Sequence, residues 1–268
     1  MTAQEVIIDM VYGEKSLKVV TFNIRCKYTG DGINSFVYRA GIIADKINKE
    51  KPDVISFQEM TSAILDKLKI LLPEYEFVGH GRNENYGGEG LYTAIRKDTC
   101  NILGWDVIWL SPEPYTPASR YENQSQYPRI CVQTMVRHKE TGKITRVFNV
   151  HLDTISEEIR IEGLNATFDF IESYKEKGNH PFVLLGDFNA RPDSKVIEAC
   201  NQKSGMQEVT KNIPTTFHAF GKKSSKIDYI YMSDELAEAL HTVEAWTDES
   251  DGIYLSDHYP VCAELWLK

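Results

Sequence analysis

Two clusters in this chain carry more chemistry than their surroundings: Gly186-Asp187-Phe188-Asn189-Ala190, and Ser256-Asp257-His258-Tyr259-Pro260 near its end. Each joins carboxylate, amide or imidazole groups directly to an apolar, strand-like run. Together they offer a general acid or base, an orienting amide and carboxylates able to hold a metal ion, which is equipment for adding water to a phosphoester. Other polar groups stand at the same kind of place: Asn23, Glu59, and His151 with Asp153 end apolar runs, and Asp228 lies inside one. Strand ends from distant parts of a sheet can converge on one rim while their apolar bodies stay in the core. Turn formation accounts poorly for such a set, because turns draw mainly on Gly, Pro, Asn and Asp and seldom on His.

The elements that would carry these groups alternate early and become strand-rich later. Leu17–Asn23 is β-branched and bounded by polar residues, as a buried strand requires. Ser35 is placed to cap a helix whose apolar positions Val37, Ala40, Ile43, Ala44 and Ile47 recur at helical spacing until Pro52. Val54–Phe57 reads as a short strand ending at Gln58-Glu59. A second helix is capped at Thr61 or Ser62, faces inward with Ile64, Leu65, Leu68, Leu71 and Leu72, and closes at Pro73. Strands are expected at Tyr75–Val78, Leu91–Arg96, Ile102–Leu110, Ile130–Arg137, Ile144–His151, Phe182–Leu185, Ile227–Met232, Leu240–Trp246 and Tyr259–Leu267. Thr154-x-x-Glu157 has the form of a capping box opening a helix that runs to about Lys175. Between strands, Ser111–Pro128 is rich in Pro, Ser, Tyr and Gln and predicts a long surface loop, a candidate for substrate selection.

Composition limits the partners. The 268 residues are 42% hydrophobic and 26% charged, enough for a large core, and no Gly/Ser- or Pro-rich linker divides them, so 1–268 is expected to form one domain. The net charge of −9 argues against a surface that coats duplex DNA. Two basic groups, Lys222, Lys223 and Lys226 on one side and Arg25, Lys27 and Arg39 on the other, are candidates for touching substrate phosphates or for solvated faces. No run approaches the ~18 apolar residues of a membrane span. The opening Met1-Thr2-Ala3-Gln4-Glu5 lacks a basic head before an apolar run, so no secretory signal is expected. Cys26, Cys100, Cys131, Cys200 and Cys262 stand singly and read as reduced, mostly buried thiols of a cytoplasmic protein. His80, His138, His180, His218 and His241 lack partners at metal-ligand spacing, and Trp105, Trp109, Trp246 and Trp266 read as core residues more than as base-stacking platforms.

Taken in order, Thr21-Phe22-Asn23, Phe57-Gln58-Glu59, Asn149-Val150-His151-Leu152, Gly186-Asp187-Phe188-Asn189, Ile227-Asp228-Tyr229-Ile230 and Ser256-Asp257-His258 resemble the motif series of the endonuclease/exonuclease/phosphatase superfamily of metal-dependent, DNase-like phosphoesterases. The resemblance implies an α/β fold of four layers: two mixed β-sheets packed face to face, with helices on the outer faces and the active site at one end. It implies Mg2+ or Mn2+ held by Glu59, with Asn23 beside the ion and Asp257 reaching it directly or through water; hard carboxylate oxygens suit such cations. Asp187 and Asn189 match the pair that positions the attacking water and a phosphate oxygen. His258 matches the terminal histidine, with Asp228 fixing its tautomer. Whether Asp187 or His258 takes the water's proton stays open, and a structural salt bridge is an equal alternative for Asp228.

His151 points away from the branch that repairs abasic DNA, where this position is not usually histidine. By analogy with DNase-like members, Glu89 is a candidate to orient it. His151-Leu152-Asp153-x-x-Ser followed by Arg160 resembles a bacterial-type branch, with Arg160 either clasping a phosphate or making an ion pair on its own helix. The implied function is metal-dependent hydrolysis of a phosphomonoester or phosphodiester by water attack on phosphorus, in a monomer acting on a nucleotide, short nucleic acid, sugar phosphate or lipid head group. The alternative is a catalytically silent module that binds phosphorylated ligands or a protein. Retention of Glu59, Asp187, Asn189, Asp228 and His258 together favours catalysis, because a binding module needs no matched base and orienter.

Overall fold

A computed structural model describes residues 15–26 and 29–267; the opening Met1–Glu5 and Lys27 lie outside the described residues. The first sheet has the order β11-β14-β1-β2-β4-β3 and the second β5-β6-β7-β8-β10-β9. Its strands are β1 Ser16–Asn23, β2 Val54–Met60, β3 Tyr75–Gly81, β4 Gly90–Arg96, β11 Leu240–Ala245 and β14 Val261–Trp266. The second sheet comprises β5 Cys100–Trp109, β6 Ile130–His138, β7 Ile144–His151, β8 Phe182–Asp187, β9 Met206–Glu208 and β10 Asp228–Ser233. A small β12–β13 ribbon, Glu249–Ser250 with Ile253–Tyr254, stands apart.

Each large sheet contains one parallel pair, and a helix makes the crossover that parallel strands require. In the first, α1 (Phe36–Glu50) returns the chain from β1 to β2; in the second, α3 (Glu157–Ser173) returns it from β7 to β8. The remaining helices are α2 Ser62–Leu71, α4 Lys195–Gln202 and the short α5 Asp234–Glu238. α1 and α2 bury Ala40, Ile43, Ile47, Ile64 and Leu68 against Phe22, Ile55 and Phe57 of the first sheet. α3 and α4 bury Leu164, Phe168, Ile171, Val196 and Ile197 against Phe148, Leu184, Tyr229 and Tyr231 of the second. Between the sheets lie Val19, Val54, Ile95, Val147, Val183, Ile230 and Ala263. Each such fully buried Val, Leu or Ile is worth roughly 1.5–3 kcal/mol. The result is the four-layer α/β sandwich, two mixed sheets face to face with helices outside.

Several local expectations need correction. Val37 is 71% exposed, and Phe36 takes its place in the core, because the buried stripe of α1 runs Phe36, Ala40, Ile43, Ala44, Ile47. The cap of α3 is Ser156, whose Oγ accepts from Ile159 N at 3.0 Å. Thr154 cannot serve because the Asp153 carboxylate takes the Ile155 N–H at 2.9 Å and holds a turn there; Glu157 accepts instead from Lys195 N. The sequence expectations contain no counterpart of α4, although Ser194 caps it and Val196, Ile197 and Cys200 mark its buried face. Trp105 is 47% exposed, whereas Trp109 and Trp246 are buried. All five cysteines are free, and Cys100, Cys131, Cys200 and Cys262 are buried. Among the described residues no helix is long and apolar enough to cross a membrane.

Gly186 shows how tightly the parallel pair β7–β8 is held. Its φ of +146° lies where side chains are rarely tolerated, and a Cβ there would sit 1.9 Å from Val150 O. Gly186→Ala is therefore expected to lower unfolding free energy by about 3 kcal/mol, read by urea denaturation. A loss below about 1 kcal/mol would mean that the backbone accommodates the methyl group.

Candidate active site

The two parallel pairs end on the same rim of the sandwich. Asn23 faces Gln58 across β1–β2, and His151 faces Asp187 across β7–β8. The antiparallel neighbours start where those strands stop: Asp228 pairs with Asp187, and Val261 with Thr21, so Ser256–Tyr259 also falls on this rim. Carboxyl ends of parallel strands are where open α/β sheets bind ligands.

Beneath the rim the two sheets are tied by amides. Gln58 Nε2 donates to Asn149 Oδ1 at 2.8 Å, and Asn149 Nδ2 donates to Phe57 O at 3.0 Å. This fully buried bridge fixes the spacing between Glu59 on one sheet and His151 on the other. Glu59 is further aimed by a bulge: Phe57 pairs with Tyr92 but Met60 with Gly90, which leaves Gln58 and Glu59 opposite a single residue. Its backbone is left-handed, φ 59°, as are those of Arg25 at 59° and Asn189 at 48°. Such conformations cost energy in residues other than glycine and gather where function holds them.

Asn23 joins the carboxylates. Its Nδ2 donates to Glu59 Oε1 at 3.1 Å and to Asp187 Oδ2 at 3.0 Å, while its Oδ1 accepts from Arg25 N. Glu59 Oε2 accepts from Cys26 N at 3.1 Å. Burial opposes its ionisation, but the Cys26 N–H, the His258 charge, the Asn23 amide and Arg25 outweigh that and hold its pKa below the ordinary carboxylate value. Asp187 Oδ1 accepts from Asn189 N at 2.9 Å, and the Asn189 amide is held by Leu152 O. Asp187 Oδ2 also lies 3.6 Å from His151 Nε2 and 3.9 Å from His258 Nε2. Burial, then Asp228, push the Asp187 pKa up to about 7.

His258 Nδ1 lies 2.9 Å from Asp228 Oδ2. Burial disfavours its charge, but Asp228, Asp187 and Asp257 prevail and raise its pKa to about 10. His151 behaves oppositely: burial and the nearby Arg129 and Arg82 keep it neutral. Asp257 accepts from Ser256 Oγ and lies 3.8 Å from Arg25 Nε; burial, then Glu59, raise its pKa. The structure thus brings Asn23, Glu59, His151, Asp187, Asn189, Asp228, Asp257 and His258 into one neighbourhood.

Other candidates lie differently. Glu89 accepts from Arg82 Nη2 at 2.6 Å and no bond joins it to His151. Arg160 donates to Asp153 O, at the head of its own helix. Arg39 is fully buried and spends its guanidinium on the carbonyls of Asn34, Ile24, Leu255 and Arg25, pinning the segments that carry the rim. Lys226 is buried on Glu208 and Thr210 O, away from solvent. Lys222 and Lys223 are exposed. Arg82 and Arg129 escaped the sequence reading: both are buried and line a narrow cleft with Glu59 and His151. The only trace was Pro128-Arg129 at the mouth of β6, a pattern too ordinary to single out. A larger cavity of about 550 Å3 lies at the other end of β1, around Ser16, Lys18, Asp53 and Arg96. There Arg96 is already paired with Asp53 and Asp98, so size is a poor guide to the chemistry.

The donor set at the rim fits a hard divalent cation. Glu59, Asp187, Asp228 and Asp257 crowd carboxylates around one imidazolium and Arg25, an excess of negative charge that a cation would relieve. Asp187, Asp228 and His258 bring one ligand atom each within 4.8 Å of one another, but His258 Nδ1 and Asp228 are already committed to each other. Each Glu59 oxygen accepts one hydrogen bond, from Asn23 Nδ2 or Cys26 N, and Asp257 Oδ1 accepts one from Ser256 Oγ, so both carboxylates keep lone pairs that a cation could take.

The model of the Endonuclease/Exonuclease/phosphatase family matches residues 20–258. Among solved structures, an endonuclease/exonuclease/phosphatase from Bacteroides vulgatus is 27% identical, with a TM-score of 0.87 over 94% of this chain and 99% of that one. A Bacteroides thetaiotaomicron mannosyl-6-phosphatase is 25% identical, with a TM-score of 0.84 over 93% and 99%. The human Nocturnin catalytic domain, 17% identical, shares the fold at a TM-score of 0.72 over 93% of each chain. No curated protein matches the chain.

Proposed function

The chain belongs to the endonuclease/exonuclease/phosphatase family, and on that premise we propose that it hydrolyses phosphate esters by water attack on phosphorus with a divalent metal ion, Mg2+ or Mn2+. The single observation that carries this reading is the Asn23 amide, which donates to Glu59 and Asp187 at once and so holds the ion-binding carboxylate a fixed short distance from the one that handles water. Glu59 and Asp257 would hold the ion, with the Asn23 amide spacing Glu59 from Asp187. When bound, the ion neutralises phosphoryl charge.

Asp187 accepts the proton of the attacking water, its orientation fixed by the Asn189 N–H and by Asn23. The Asn189 side chain, anchored on Leu152 O, stands at the phosphoryl oxygens. His258 is held with Nδ1 on Asp228, so that Nε2 faces Asp187 and the reacting group; its positive charge stabilises the phosphoryl transition state. His151, kept neutral, offers Nε2 to a phosphoryl oxygen. The whole chain acts as one such domain and as a monomer. Its acidity disfavours duplex DNA, and its free thiols suit the cytoplasm. Nucleotides, short nucleic acids, sugar phosphates and lipid head groups are the substrate classes; the mannosyl-6-phosphatase among the similar structures supports the sugar phosphates.

The test is a panel of phosphoesters assayed with Mg2+ and with Mn2+, using His258→Ala as the blank. EDTA is expected to bring activity down to the blank, and excess Mg2+ or Mn2+ to restore it. Hydrolysis that survives EDTA would remove the metal ion from this reading, and hydrolysis unchanged in His258→Ala would not arise at this site and would leave a binding module as the better reading.

A further inference from the structure

Arg129 is the least satisfied charged group near the rim. It is 5% exposed, yet its Nε and Nη1 have no hydrogen-bond partner. The nearest counter-charge, Asp153 Oδ2, lies at 3.6 Å from Nε, beyond hydrogen-bond distance. Asp153 is itself occupied: Ser125 Oγ donates to Oδ2 at 2.5 Å and Ile155 N to Oδ1 at 2.9 Å. A buried guanidinium with idle donors is costly, and native proteins rarely keep one without a use.

The surroundings say what it lacks. Arg129 lines a cleft shared with Glu59, His151 and a second buried guanidinium, Arg82. Arg82 is committed to Glu89 at 2.6 Å and lies 4.6 Å from the Tyr127 ring centroid, at the end of the long loop before β6. Backbone pairing of Leu110 N with Arg129 O at 2.7 Å fixes where Arg129 enters. The missing partner is an anion, and it must sit beside the residues that handle phosphorus.

Glu59, Arg82, Arg129 and His151 line a narrow space of about 200 Å3 that opens to solvent. A terminal phosphoryl oxygen carries negative charge and accepts from the idle donors; an ester oxygen carries none and is a weak acceptor for a guanidinium. A phosphomonoester has a terminal oxygen to spare for this position after its other contacts, whereas a diester has one fewer.

We propose that Arg129, backed by Arg82, binds a terminal phosphoryl oxygen and makes phosphomonoesters the preferred substrates of this site, an inference that rests on the hydrolase reading above. Arg129 is a substrate-binding residue here and takes no part in proton transfer.

Two measurements on the whole chain with Mg2+ test this. Calorimetric titration with inorganic phosphate is expected to give binding that Arg129→Gln and Arg129→Met weaken by about 10- to 150-fold, the range for a charged hydrogen bond. Dimethyl phosphate should bind weakly and equally to all three proteins. In the assay, 4-nitrophenyl phosphate is expected to outrun its methyl ester in the parent protein. Arg129→Gln should lose about the same factor on the monoester with less than about threefold change on the diester. Thermal melts check folding, and the parent's preference between the two esters needs no variant. Equal losses on both esters, phosphate binding indifferent to Arg129, or a parent that prefers the diester would overturn the inference and leave the hydrolase reading standing. Phosphate binding that depends on Arg129 in a protein that cleaves neither ester would overturn the hydrolase reading, and the substrate preference with it, and leave Arg129 as an anion-binding residue alone.

Discussion

Replacing Asp187 by asparagine is expected to lower kcat about a thousandfold, with KM changed less than about threefold. The substitution keeps size and one accepting oxygen, so the bond from Asn189 N can persist. It removes the anion that two imidazoles approach at 3.6 and 3.9 Å, and it sets an NH2 group against the Asn23 amide or those rings. Loss of a positioned general base costs about 10²–10⁴ in rate. Steady-state kinetics at saturating metal, on whichever ester the parent cleaves best, measures the effect; a kcat within tenfold of the parent would dismiss Asp187 as the proton acceptor. Stability should move the other way. An acid whose pKa rises on folding holds its proton more tightly in the native state. Its favourable contribution is therefore present at low pH and is lost as pH climbs through about 7. In metal-free buffer above pH 7, Asp187→Asn is expected to melt at or above the parent temperature, the trade between stability and function that buried active-site charges impose.

What made this site legible in the sequence is that its residues interrupt apolar runs. Asn23, His151 and Asp187 each close a strand whose body is nearly continuous hydrophobic sequence, Glu59 stands one residue before the end of another, and parallel pairing puts those ends on one edge. Periodicity also delivers the helices that cover the sheets. It fails where a side chain's partners come from afar. Arg39 and Lys226 read as solvent or substrate contacts, but their donors are consumed by backbone carbonyls and Glu208 from separate segments, which no spacing records. Arg82 and Arg129 carry no signal for the converse reason: their meaning lies in donors left over, and that is visible only once every neighbour is placed. Thr154 and Ser156 are equally good caps by type; the Asp153 turn chooses between them. Trp105 sits in a strand-like run, yet its strand is an edge, and one face of an edge strand meets water.

The pairing of His258 with Asp228 makes a sharper demand on kinetics than either residue alone. Asp228 begins β10 and is buried, and its Oδ2 lies 2.9 Å from His258 Nδ1, so it fixes the ring plane and the tautomer and holds a proton on the imidazole. If His258 supplies a positive charge at the phosphoryl group, His258→Ala is expected to cost about 10³-fold in kcat. Asp228→Asn leaves the ring in place but withdraws the carboxylate that keeps it charged and turned, and should cost about 10²–10³-fold. The double variant should then be no slower than His258→Ala by more than about threefold, since Asp228 acts only through the ring. Full additivity of the two losses would instead assign Asp228 a contact of its own, with the metal ion or the substrate. In that case the cluster of Asp187, Asp228 and His258, whose ligand atoms already lie within 4.8 Å of one another, would have to be reread as a second place for a cation. Titration of Mn2+ into the two single variants separates these outcomes: an orienting Asp228 leaves the number of bound ions unchanged, and a ligating one lowers it.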